Sequence, residues 1–172
     1  MDNNSNPLVY RGRVIDLAIE EVRLPDGRSF PLEIVRHPGG AAVVAINAQR
    51  QVCLVHQYRH VAQGMLWELP AGKCHPDEAP LLTAKRELSE EAGLGAGEWQ
   101  ALGTIWSSPG IFTERIHLYR AHDLHTIPHA IEADEYLEAH WIDFDQALAW
   151  AVDGTISDGK SIIGLFRAAR LI

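Results

Sequence analysis

Cysteine is scarce: Cys53 and Cys74 are the only two in 172 residues. Two thiols in a chain of this length do not make a disulfide framework, and a reduced, cytoplasmic setting is the expectation that follows. Long apolar runs are missing too. Ala41 to Ile46 is one of the longest and falls far short of the ~20 residues that cross a bilayer, so no membrane partner is expected. Met1 to Pro7 is polar, with no apolar stretch of the kind a secretory signal carries. Basic residues are in deficit, 15 Lys and Arg against 23 Asp and Glu, for a net charge of −8. That balance opposes non-specific nucleic-acid binding, which depends on cationic side chains neutralising phosphates. It leaves a small anionic substrate open, provided a divalent metal supplies positive charge locally.

What is present fits one globular domain, with 47% hydrophobic residues. Residues 1–9 are expected to be a flexible N-terminus and 10–172 a single domain. Arg13 to Val22 alternates loosely, Pro25-Asp26-Gly27 marks a turn, and Ser29 to Val35 returns as the second strand of an antiparallel hairpin. Ala41 to Ile46 and Gln51 to Tyr58 read as central strands covered on both faces. Further strands are expected at Gln100 to Trp106, Ile116 to Ala121 and Tyr136 to Ile142. Phe144 to Val152 and Ser161 to Ile172 are amphipathic and close the chain as helices. The class is therefore α/β or α+β, layers of helix on a mixed sheet.

The strongest helical punctuation brackets Pro80 to Ala92. Proline suits the first helical position and Gly93 suits the left-handed residue that ends a helix. Leu81, Ala84, Leu88 and Ala92 form one apolar stripe. Facing away from it, Glu87, Glu90 and Glu91 stand at i, i+3 and i+4 and project from one side. Three carboxylates so placed repel one another and become favourable around a hard cation, which takes oxygen ligands. On that face Glu91 is expected to be exposed. Arg86 lies four residues before Glu90 and eight after Glu78, within reach of both.

From Gly72 to Leu94 the chain reads G-x5-E-x7-R-E-L-x-E-E-x-G-L. This resembles the box of the Nudix hydrolases, enzymes that act on nucleoside diphosphates linked to another moiety. The resemblance implies an α/β/α sandwich with a mixed central sheet, the box forming a loop–helix–loop against it. It implies Mg²⁺, with Mn²⁺ as an alternative, held by Glu87, Glu90, Glu91 and the carbonyl of Ala71. Glu78 and Arg86 are then a supporting pair for the catalytic loop and helix.

Outside the box, Pro109 in Ser107-Ser108-Pro109-Gly110 lies sixteen residues beyond Gly93. With Glu68-Leu69-Pro70-Ala71-Gly72, Gln57-Tyr58-Arg59 and the N-terminal hairpin, it resembles the ADP-ribose and nucleoside diphosphate sugar pyrophosphatases. Arg59 is a candidate clamp on pyrophosphate, since a guanidinium pairs bidentately with such oxygens, or else an ordinary ion pair. Glu68 is a candidate partner of ribose or base, or a structural partner of Arg59. Glu114 is placed to reach metals or the terminal sugar. A general base is needed to orient the attacking water, and Glu135, with Glu132 second, matches the late-loop glutamate of relatives. Tyr10, Phe30, Trp67 and Trp106 are candidates for stacking a base, although most aromatics serve packing. The subgroup also implies a homodimer built on residues 10–36.

The expected activity is metal-dependent hydrolysis of a nucleoside diphosphate sugar, ADP-ribose foremost, to AMP and ribose 5-phosphate. GDP-mannose or a broad range of nucleotide sugars is the alternative within the class. A non-catalytic ADP-ribose sensor is the alternative outside it, although no box carboxylate is missing.

Overall fold

The protein is described here by a computed structural model covering residues 8–128 and 136–171. Strand β4 (Gly40–Ala45) is its axis, and all six of its residues are buried. Successive side chains leave opposite faces of a strand. Ala42 and Val44 thus enter one core with Val52, Leu54, Leu69, Leu118, Phe144 and Leu165. Ala41, Val43 and Ala45 enter a second core with Ala84, Leu88, Leu94 and Ala121. Helix α1 (Pro80–Ala92) covers the second core, and α2 (Phe144–Asp153) and α3 (Gly159–Ala168) cover the first. An uninterrupted apolar run is what a strand with two covered faces requires, and the expected α/β/α layering follows from it.

β4 is hydrogen-bonded to β7 (Ala71–Lys73), antiparallel, on one edge and to β9 (Arg115–Thr126), parallel, on the other. β8 (Leu94–Trp106) completes this mixed four-stranded sheet. Because both edges of β4 are taken, β5 (Gln51–Arg59) pairs beside it only at an isolated Ile46–Val52 bridge just past the end of β4. β5 instead centres an antiparallel sheet between β10 (Leu137–Asp143) and β6 (Gly64–Glu68). The strands flanked by helices therefore divide into two sheets, one of them mixed. β6 and β7 carry no alternating pattern of their own; each is recruited by the open edge of a longer strand.

The N-terminal hairpin is β2 (Asp16–Arg23) and β3 (Ser29–Arg36), turning at Gly27. A third strand, β1 (Leu8–Arg11), pairs antiparallel with β2. Leu8 and Val9, within the segment 1–9 expected to be flexible, thus belong to a strand held on the edge of β2. Helix α1 spans the predicted residues, with Pro80 in its first turn and Gly93 in the left-handed conformation at φ 62°. α3 starts at Gly159, ahead of the expected Ser161, because Asp158 caps it by accepting from the Ser161 N–H.

Leu88 is fully buried on the face of α1 turned toward β4. Leu88→Ala is expected to cost about 2–5 kcal/mol of unfolding free energy in a urea titration. A loss below about 1 kcal/mol would show that α1 is not packed as described.

Candidate active site

The acidic face of α1 does not look into solvent. Glu87 is 7% exposed and Glu91 is 2% exposed, which corrects the expectation that Glu91 is exposed. Strand β7 closes over this face, and the Ala71 N–H donates to Glu91 Oε2 at 2.9 Å. A Cβ on Gly72 would lie 1.9 Å from Glu87 Oε1. Glycine there lets the backbone of β7 approach a carboxylate that any side chain would displace.

Arg86 makes the cluster tolerable. Its Nη1 donates to Glu87 at 2.7 Å and to Glu90 at 2.9 Å, and its Nε donates to Glu78 at 3.1 Å. Nη2 reaches the Lys73 carbonyl at 3.0 Å and Glu78 Oε2 at 3.2 Å, tying box loop, strand and helix together. Glu78 also accepts from the Thr83 hydroxyl and the His75 N–H. Arg86 chiefly, then the His75 N–H, holds the Glu78 carboxyl down at about 2. Burial alone would lower the Arg86 pKa, but its carboxylates raise it. Sequence spacing thus put Arg86 and Glu78 within reach of each other, and the fold adds Lys73.

A divalent cation suits this donor set, since carboxylate and carbonyl oxygens are its preferred ligands. Glu87, Glu90 and Glu91 supply such oxygens from one side of α1, and β7 lies close against them, at Gly72 beside Glu87 and at the Ala71 N–H beside Glu91. Among the described residues no three His, Cys, Asp or Glu groups already converge as a ligand set. A cation here competes with Arg86 for Glu87 and Glu90.

A second charged cluster lies nearby. Arg59 Nε and Nη2 donate to the two oxygens of Glu68 at 2.8 and 2.9 Å, so the Arg59–Glu68 pairing is present in the fold. Glu68 is buried, and it also contacts Lys160 Nζ, whose other partner is Asp158 Oδ2 at 3.0 Å. Burial by itself would raise the Glu68 pKa. Arg59 and Lys160 outweigh that and bring it to about 2. Sequence reasoning passed over Lys160 and Asp158; the only available signal was aspartate one residue ahead of a glycine that opens a helix.

Arg59, Glu68, Asp158 and Lys160 line a cavity of about 870 Å³, together with Ala71 and Gly72 of β7 and Glu114. The volume is that of a small-molecule site. Glu114 ends the loop 107–114, which is sewn to the end of β3: the Val35 N–H donates to the Ile111 carbonyl and the Thr113 N–H to the Val35 carbonyl. His37 stands 3.4 Å from Glu114 through Nδ1. That nitrogen accepts from the Gly39 N–H at 3.0 Å, and burial lowers the His37 pKa despite Glu114. The ring is therefore neutral, and its approach to Glu114 is not an ion pair. Sequence reasoning missed His37, which carried no motif of its own.

Trp106 lines the cavity, half exposed, with Arg115 5.3 Å from its ring centre. Of the other aromatic candidates, Trp67 stacks on His56 at 4.4 Å and packs against Trp150, a core role. Tyr10 and Phe30 are exposed on the N-terminal sheet and do not line the cavity of their own chain. Both cysteines are free; burial foremost, with the charge of Glu91, pushes the Cys53 thiol up to about 12, far from a nucleophile. Glu132 and Glu135 lie outside the described residues.

The NUDIX domain profile matches residues 36–161. The chain belongs to the Nudix family. This Nudix hydrolase is 37% identical over 159 residues to the methanol dehydrogenase activator of Bacillus methanolicus, covering 91% of this chain and 86% of that one. It is 34% identical over 155 residues to the ADP-ribose pyrophosphatase of Bacillus subtilis (strain 168), covering 89% and 84%. To the GDP-mannose pyrophosphatase of Klebsiella pneumoniae it is 35% identical over 141 residues, covering 76% and 71%. The crystal structure of an ADP compounds hydrolase shares its fold, with a TM-score of 0.82 at 20% identity over 96% of this chain and 90% of that one. Nudix hydrolases are generally dependent on divalent metal. No helix among the described residues is long and apolar enough to cross a membrane.

A carboxylate held low in the folded state stabilises fully above its unfolded pKa and loses that contribution as pH falls through its folded value. For Glu68 the loss runs from about pH 4.5 down to about 2. Glu68→Gln is expected to flatten the fall of stability with acid in that window, Glu78 retaining part of the slope. At pH 7 the variant is expected to be less stable, because two cations lose a buried counter-charge. Urea titrations at a series of pH values check both; an unaltered acid slope would remove Glu68 from the ionised cluster.

Proposed function

We propose that this Nudix hydrolase cleaves the pyrophosphate link of a nucleoside diphosphate sugar, ADP-ribose to AMP and ribose 5-phosphate, with Mg²⁺ as the working cation. The observation that carries the reading is a single cavity lined by β7 of the box, by the Arg59–Glu68–Lys160 cluster and by Glu114. The ADP-ribose pyrophosphatase from Bacillus subtilis among its relatives supports the choice of sugar. The GDP-mannose pyrophosphatase from Klebsiella pneumoniae supports that nucleotide sugar as the second reading.

Glu87, Glu90, Glu91 and the Ala71 carbonyl would hold the cation. When bound, it supplies positive charge beside the non-bridging oxygens of the pyrophosphate. Arg86 and Glu78 keep box loop and helix in register. Arg59 clamps the pyrophosphate, and Glu114 meets the terminal sugar. Glu135, or Glu132 in its place, orients a water for in-line attack on phosphorus. Glu68 serves as the partner of Arg59 and not as a contact to the base.

We further propose a homodimer. Leu8, Val9, Tyr10, Ile19 and Phe30 are apolar side chains exposed on the two faces of the N-terminal sheet, which supports an interface there. Tyr10 would then reach the cavity of the partner copy. A nucleotide-sugar substrate supports a cytoplasmic location.

Turnover of ADP-ribose, GDP-mannose and ADP-glucose, each with Mg²⁺ and with Mn²⁺, tests the activity, read as the phosphate that alkaline phosphatase frees from the phosphomonoester products and not from the intact substrates. ADP-ribose is expected to give the highest kcat/KM. A leading rate on GDP-mannose would overturn the first reading in favour of the second, and no turnover of any would overturn both. Glu91→Gln keeps an acceptor for the Ala71 N–H but loses the charge. It is expected to lower turnover on the order of 100-fold with little change in melting temperature. Full activity in this variant would remove Glu91 from the ligand set.

A further inference from the structure

Lys160 is a cation that the proposed chemistry leaves without a task. Its side chain is 11% exposed, and burying an ammonium is costly unless it is paired. It has two partners, Glu68 and Asp158. Asp158 Oδ2 also accepts from the N–H and the hydroxyl of Ser161, and Ser161 Oγ accepts in turn from the Leu69 N–H at 2.7 Å. The first turn of α3 thereby grips both the side chain of Glu68 and the backbone after it. Three residues later that backbone is Ala71, in β7.

The same carboxylate holds Arg59 in a bidentate pair. Alone, such a pair cancels the charge of the guanidinium, and a neutralised guanidinium attracts a phosphate weakly. A second cation on Glu68 alters the balance. Arg59, Glu68 and Lys160 together carry one net positive charge, and all three line the cavity. Asp158 caps the N-terminus of α3, whose partial positive charge offsets part of its own. Beyond Glu68, the carboxylates whose charge reaches Arg59 are Glu91, on α1, and then Asp158.

We infer that Lys160 is a positioning residue: by sharing Glu68 it fixes the Arg59 guanidinium at the cavity wall and leaves it charge to offer a pyrophosphate. The inference rests on the reading of Arg59 as the pyrophosphate clamp. Lys160 needs no contact with substrate; it acts through Glu68 on Arg59.

A double-mutant cycle on the full-length enzyme separates this role from a merely structural one, because side chains in one network couple and independent ones add. With ADP-ribose as substrate, or the best of the three nucleotide sugars, Lys160→Met is expected to raise KM about tenfold with kcat within about threefold. In an Arg59→Met background the same change is expected to move KM less than about twofold. Equal effects of Lys160→Met in both backgrounds would overturn the inference, as would an unchanged KM in the single variant. Lys160→Gln runs the same cycle, with the same expectations, if the Met variant fails to fold. An Arg59→Met enzyme with unaltered KM would instead strike the clamp itself, so the two failures are told apart.

Discussion

Confining negative charge without water is the constraint on which the site is built. Glu87 and Glu91 are buried on a helix that also carries Glu90, and carboxylates at that spacing repel. One guanidinium makes the arrangement possible. Arg86 spreads its donors over Glu78, Glu87, Glu90 and the Lys73 carbonyl, so it offsets part of the helix's negative charge and clips loop and strand to it. A bulkier residue at 72 would push Glu87 away, and a helix packed less closely would leave Glu91 hydrated.

Of the two clamps, one lines the cavity, where Arg59 and Lys160 share Glu68; the other, Arg86 on the acidic helix, lies behind β7, which lines the cavity in its place. Segment 68–73 joins them, anchored at its start to α3 by the Leu69 N–H and at β7 to α1 by the Ala71 N–H. The two helices lie on opposite layers of the sandwich, so the short segment spans the sheet edge between them. It carries a buried carboxylate, a proposed metal-ligating carbonyl and the first residue of the box. Its placement depends on both layers being packed.

The N-terminal sheet contributes differently. It supplies no side chain to the cavity of its own chain except His37, just past the end of β3. Yet the backbone of β3 at Val35 donates one hydrogen bond to the loop that leads into Glu114 and accepts another from it, and Thr113 Oγ1 accepts from the His37 N–H. The position of Glu114 is thus tied to the sheet proposed as the dimer surface. Any partner that moves β3 is mechanically connected to the rim of the site.

Local rules made much of this legible. Proline and glycine bracketed α1, an unbroken apolar run marked β4, and the spacing of Arg86, Glu78 and the three glutamates brought them to one region. Those signals lie within a few residues of one another, where helix geometry alone sets distance. Tertiary structure decided what chain separation hid: that Glu91 is buried and not exposed, that Trp67 is spent on His56, that Tyr10 stays off its own cavity, and that Lys160 meets Glu68 across ninety-two residues. Periodicity reports which way a side chain faces on its own element. What stands opposite is fixed only when distant elements pack, because contact, burial and the resulting charge pairing belong to the assembled layers.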